Sequence, residues 1–142
     1  MEQPVDVLAL LPRIDAAAKA RHHVRQWLLA WQLQDLMEPV ELLTSELVTN
    51  ALLHAGTSIT VSVQRDGKGV RVEVGDGSAV RPVRRRTSTT ATTGRGVQML
   101  ESVSDSWGST TVRGGKLVWF RVLSGAGWNG LVVLNSRATA KL

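Results

Sequence analysis

The sequence predicts an α/β (α+β) two-layer sandwich, in which one mixed, mostly antiparallel sheet carries helices on one face. Three observations predict it. Apolar residues recur at helical spacing up to about residue 55 and alternate with polar residues from 59 onward, a change of period from 3.6 to 2. Two pairs of alternating runs each meet at a glycine-containing turn, the mark of a hairpin. The segments follow in the order helix, helix, strand, strand, long loop, helix, strand, strand.

Residues 13–34 (RIDAAAKARHHVRQWLLAWQLQ) place Ile14, Ala17, Val24, Trp27, Leu28 and Trp31 at helical spacing, so a long amphipathic helix is expected with that stripe toward the core. DLMEP interrupts it, Pro39 suits a first helical turn, and a second helix runs to about Ala55, where Gly56 supplies the stop. On this helix Leu43, Leu47 and Ala51 follow one stripe, and Glu46, Asn50 and Leu53 another.

Ile59, Val61 and Val63, the turn Asp66-Gly67-Lys68-Gly69, and Val70, Val72 and Val74 make the first hairpin. WGSTTVR, Gly114-Gly115 and KLVWFRVL make the second. Between them GDGSAVRPVRRRTSTTATTGRG is too polar to pack a core and reads as a long loop, of the kind that is usually functional. Val97, Leu100 and Val103 mark a short helix after it, beginning at Gly94-Arg95-Gly96. From Ser124 (SGAGWNGLVVLNSRATAKL) no period is clear, leaving a frayed tail or an edge strand from LVVLN.

A length of 142 residues fits one domain, which should bury roughly 68% of its unfolded surface. No apolar run approaches the ~18 residues a membrane span needs, and MEQPVDVLALLPRID has no basic region ahead of its short apolar run, so no secretory signal is expected. The chain has no cysteine, which excludes disulfides, thiolate metal sites and thiol catalysis and suits a cytoplasmic location. Seventeen Lys and Arg against 12 Asp and Glu give a net charge of +5. Arg81, Arg84, Arg85 and Arg86 form a cluster that can neutralise phosphates or an acidic partner, or simply be a solvated loop. Interleaved aromatics of the single-strand-binding kind are not seen, and core packing is expected of Trp27, Trp107 and Trp119.

Glu46 and Asn50 are four apart and project from one helix face. Facing solvent, the pair has no consequence. Facing a cavity, the Asn carbonyl oxygen is a hard ligand suited to Mg²⁺, and a carboxylate one turn earlier can deprotonate an attacking group. Asp76 ends the strand VRVEVG and opens the turn Asp76-Gly77-Ser78. It is either a plain Asp-Gly turn or a buried carboxylate awaiting a donor, such as the exocyclic amino group of a purine. Gly94-Arg95-Gly96 is either a hinge and cap or a place where backbone meets phosphate. No GxxxxGK[ST] occurs, so an ordinary P-loop is excluded. His22 and His23 lie in a basic helix beside Trp27 and Trp31 and read as surface residues, and His54 as a cap or packing residue.

In that order ELVTNALLHAG, VEVGDGS, GRGVQML and GGKLVWF resemble the N box, the adenine-binding box, the glycine-rich lid box and the closing strand of the GHKL ATPase superfamily. Within it the chain is similar to the anti-sigma-factor serine/threonine kinases and stand-alone ATP-binding regulators of actinomycetes, over residues 13–123. The resemblance implies a Bergerat-type ATP-binding fold, with a domain at 1–123, a lid at about 77–96 and a tail of unknown role at 124–142. It implies that Asn50 holds Mg²⁺ at the ATP phosphates, that Glu46 is the general base, and that Asp76, with Gly77, meets the adenine. Gly94 and Gly96 let the lid close; apart from the resemblance, the residues themselves suggest that Arg95 or the Arg84 to Arg86 run adds charge to that lid.

As partners it implies a sigma factor and an anti-sigma factor antagonist whose Ser is phosphorylated, with no direct DNA binding and no membrane; a homodimer is compatible with it. The alternatives are an ATP-binding regulatory module without phosphotransfer and a basic nucleic-acid-binding protein. The chain departs from the family pattern in three places. DGSAV lacks a second glycine, Leu117 stands where a Thr often lies near the adenine, and Leu53 replaces the Lys or Arg of sensor kinases. Low nucleotide affinity would follow from the first two.

Overall fold

The computed structural model describes residues 6–77, 98–112 and 114–125, the side chain of His54 excepted. Its elements are β1 (Asp6–Leu10), α1 (Ala16–Ala30), a 3₁₀ turn (Gln34–Leu36), α2 (Met37–His54), β2 (Ile59–Asp66), β3 (Gly69–Asp76), α3 (98–103), β4 (Ser106–Val112) and β5 (Gly115–Leu123). The strands form one sheet in the order β1-β2-β3-β5-β4. Every described pairing in it is antiparallel.

Alternation builds the core. In register across the sheet, Val61 faces Val74 and Val74 faces Val118, while Val63, Val72, Phe120 and Trp107 form the next row. The Val and Phe residues of these rows are at most 4% exposed, and each such burial removes on the order of 1.5–3 kcal/mol of apolar surface from water. α1 lays Ala16, Ala20, Val24 and Leu28 on this face, and α2 adds Val40, Leu43, Leu47, Val48 and Ala51. Leu100 and Val103 of α3 complete it.

Both helices stop for local reasons. α1 ends where Gln32 takes φ 59°, so the helix expected over 13–34 is shorter at both ends. Ile14 lies ahead of its first turn and is 94% exposed rather than on the core stripe. α2 ends as expected, with the N–H groups of Ala55 and Gly56 both donating to the Ala51 carbonyl and Gly56 at φ 65°, a left-handed conformation that favours glycine.

β1 has no counterpart among the expected elements. Its run DVLAL is too short to display a period, and its partner, β2, lies on the far side of both helices. Pairing places Asp6 on the inner face opposite Val63, where its carboxylate accepts from Trp27 Nε1–H at 2.8 Å and lies 3.5 Å from His23 Nε2. Arg25 clasps Glu41 with two hydrogen bonds, of 2.8 and 2.9 Å, joining α1 to α2. That bond holds the Arg25 guanidinium in its charged form even more firmly than usual.

Trp27 and Trp107 pack against the core as expected, but Trp119 does not. Phe120 takes the inner face, so the residue before it must point to the other. There Arg71 stacks over the Trp119 ring at 4.2 Å and its Nε donates to Glu73 at 2.8 Å. Ser124, where the tail begins, donates its N–H to the Lys68 carbonyl and its hydroxyl to Asp35. No helix among the described residues is long and apolar enough to cross a membrane.

Candidate functional site

The site is gathered from α2, the end of β3 and the start of β5, three elements in mutual contact. Asp76 is the last residue of β3, and alternation puts it on the inner face in line with Val72 and Val74. Its side chain is 3% exposed. A carboxylate so buried requires compensation, and the register supplies part of it: Lys116 lies opposite, on the same face, with Nζ 3.6 Å from Asp76 Oδ2. The Lys116 side chain is itself 12% exposed.

Backbones close in around this carboxylate. A Cβ on Gly115 would fall 1.8 Å from the Asp76 carbonyl oxygen, so only glycine fits there. Beyond the strand, the Gly77 N–H donates to Thr57 Oγ1 at 2.7 Å, and Thr57 belongs to the connection from α2 to β2. The end of β3 is thereby fixed to the segment that follows α2.

On α2 itself, Glu46 and Asn50 are both half-buried and one turn apart. Asn50 Oδ1 is fully buried and finds no hydrogen-bond partner among the described residues. Such an oxygen costs about 1–3 kcal/mol unless a donor or cation reaches it. The Oδ1 atom therefore does not face solvent, and the amide is suited to receiving a hard cation. Leu53, next on the stripe, is 61% exposed. Among the described residues no cluster of three His, Asp or Glu could hold a metal alone, so a cation at Asn50 would need oxygens from a ligand.

The histidine kinase-like ATPase family model matches residues 10–122. The chain belongs to that family. A solved structure of the RsbU and RsbW domains of Rv1364c from Mycobacterium tuberculosis resembles this histidine kinase-like ATPase domain with a TM-score of 0.58 and 21% identity, over 85% of this chain. The chain spans 32% of that longer polypeptide, and at this identity the likeness is one of fold. No curated protein matches the sequence.

Of the residues singled out in this ATPase domain from its sequence, Glu46 and Asn50 share a helix face, and Asp76 and Gly77 are tied to the loop after that helix. Gly94, Arg95 and Gly96, the Arg81 to Arg86 cluster, nearly all of the expected lid and the tail beyond 125 lie outside the described residues. The register corrects one position. Leu117 pairs with Gly75 and points to the opposite face, so the residue beside Asp76 is Lys116. Counting back by twos from Phe120 through Val118 would have found it. Thr57 carried no comparable signal, because its role rests on a contact with Gly77, distant in sequence.

Proposed function

We propose that this domain binds ATP with Mg²⁺ between α2 and the end of β3 and transfers the γ-phosphoryl group to a serine hydroxyl of an anti-sigma factor antagonist. On this reading it also sequesters a sigma factor, and the two proteins compete for one nucleotide-bound domain. The observation that carries the reading is Asn50 Oδ1, buried without a partner among the described residues one turn from Glu46, on the helix whose following loop is bonded to Gly77.

Asn50 would hold the cation, which supplies neutralisation of phosphate charge when bound. Asp76 would accept from the exocyclic amino group of the base, with Gly77 beside it. Glu46 would take the proton of the serine hydroxyl as that oxygen bonds to phosphorus, with ADP leaving. Gly94, Arg95 and Gly96 would serve the lid. The family model and the Glu46 and Asn50 pair support the enzyme. The second reading, a nucleotide-binding regulator without transfer, is favoured by the adenine box DGSAV, which lacks a second glycine.

Titration with ATP and Mg²⁺ tests this. The wild type should bind saturably, Asn50→Ala should lose most of the Mg²⁺-dependent affinity, and Glu46→Gln should keep binding while losing transfer to an antagonist protein. Absence of saturable binding by the wild type overturns the nucleotide reading. Binding without transfer to any antagonist selects the regulator.

A further inference from the structure

The lysine that pairs with Asp76 bears on which base the site reads. A lone carboxylate facing the 6-position of a purine accepts from the 6-amino group of adenine and repels the 6-oxo group of guanine or hypoxanthine, since both oxygens are acceptors. In this protein the carboxylate is not alone. Lys116 stands directly across from Asp76 in the strand register, on the same face, its side chain 12% exposed and that of Asp76 3%. Their separation of 3.6 Å exceeds the about 2.8 Å of a charge-assisted hydrogen bond. The ammonium therefore balances the buried charge without committing a donor to that oxygen, and it has three N–H donors to offer.

We propose that Lys116 is a specificity-determining residue that opens the base site to 6-oxopurines, so that the domain takes guanine nucleotides alongside ATP. This rests on the reading of Asp76 as the base-facing carboxylate. Lys116 donates to O6, which removes the acceptor clash. Asp76 accepts from N1–H, the neighbouring group on the ring edge, and with guanine from the 2-amino group as well. With adenine the ring sits one position along that edge, Asp76 accepting from the 6-amino group with no bond needed from Lys116. A donor and an acceptor side by side thus suit either ring edge, where a carboxylate by itself suits one.

The test is a set of calorimetric titrations of the full chain with ATP, GTP and ITP, each with Mg²⁺. For the wild type, GTP and ITP should bind within about tenfold of ATP, ITP reporting on O6 and N1 without the 2-amino group. Lys116→Met should weaken GTP and ITP relative to ATP by a further tenfold or more, the size expected for one hydrogen bond to a charged donor. Lys116→Arg, which keeps the donors, should hold the wild-type ratio. ATP bound more than a hundredfold tighter than both 6-oxopurines by the wild type overturns the proposal without any variant, and leaves the nucleotide reading standing. So does an unchanged ratio in a Lys116→Met protein whose circular dichroism matches the wild type. No binding of any of the three overturns both.

Discussion

The backbone N–H of Gly77 donates to Thr57 Oγ1 at 2.7 Å, joining the end of β3 to the loop that follows α2. Two residues remote in sequence thereby keep the carboxylate of Asp76 in a fixed place relative to the helix that carries Asn50. A Cβ on Gly77 would lie 2.9 Å from the same hydroxyl, so the contact is close as well as polar.

Removing the hydroxyl while keeping the branched shape isolates this bond. Thr57→Val should lower stability by about 1 kcal/mol, the net worth of a neutral hydrogen bond, seen as a fall of roughly 3 °C in the melting midpoint for a chain of this size. Thr57→Ser keeps the acceptor and should lose less. An unchanged midpoint in Thr57→Val would show that the loop is held by other means.

The two faces of β5 give a paired prediction. Phe120 is fully buried at the centre of the inner face, so Phe120→Ala should cost about 3–5 kcal/mol. Trp119, one residue earlier, meets Arg71 on the opposite face, and a cation–π contact between half-exposed groups contributes about 1 kcal/mol. In urea unfolding, Trp119→Ala should therefore destabilise much less than Phe120→Ala despite the larger side chain. Equal losses would place Trp119 in the core.

What the sequence made legible follows from which forces act locally. The two hairpins and α2 announce themselves through period and turn residues, since alternation and Gly56 act within a few positions. β1 is invisible to that logic because its identity comes from pairing with Val61 and its neighbours across two helices. The site divides the same way. Glu46 and Asn50 are readable as one helix face, and Asp76 as a strand end. Which residue stands beside Asp76 depends on register, and there the family pattern pointed to Leu117 while the period of 2 pointed to Lys116.

Gly115 marks the tightest approach near the site. Its absent Cβ would overlap the Asp76 carbonyl oxygen at 1.8 Å, and backbone cannot rotate aside as a side chain can. Gly115→Ala should destabilise by about 1–3 kcal/mol as β5 is pushed from β3. It should also change the ratio of GTP to ATP affinity, because Lys116 is the next residue along. In Gly114→Ala no atom of the described residues lies near the added Cβ, but φ is 80°, so strain there should lower stability and leave that ratio alone.

Asn50 allows stability and binding to be separated by sign. In the free protein its Oδ1 is buried without a partner among the described residues, and replacing an unsatisfied polar group by an apolar one of similar size can be neutral or stabilising. Asn50→Leu should therefore melt no lower than the wild type in the absence of nucleotide, and up to about 1 kcal/mol higher in stability. With ATP and Mg²⁺ the order should invert. A ligand at a hundred times its Kd adds about 2.7 kcal/mol to the protein that binds it, and Asn50→Leu, lacking the amide proposed to hold the cation, should gain little. Thermal melts of both proteins with and without ATP and Mg²⁺ read the two effects in one experiment. A large loss of stability in the free variant would mean that the amide is a structural group, and an equal shift on adding nucleotide would remove Asn50 from the metal site.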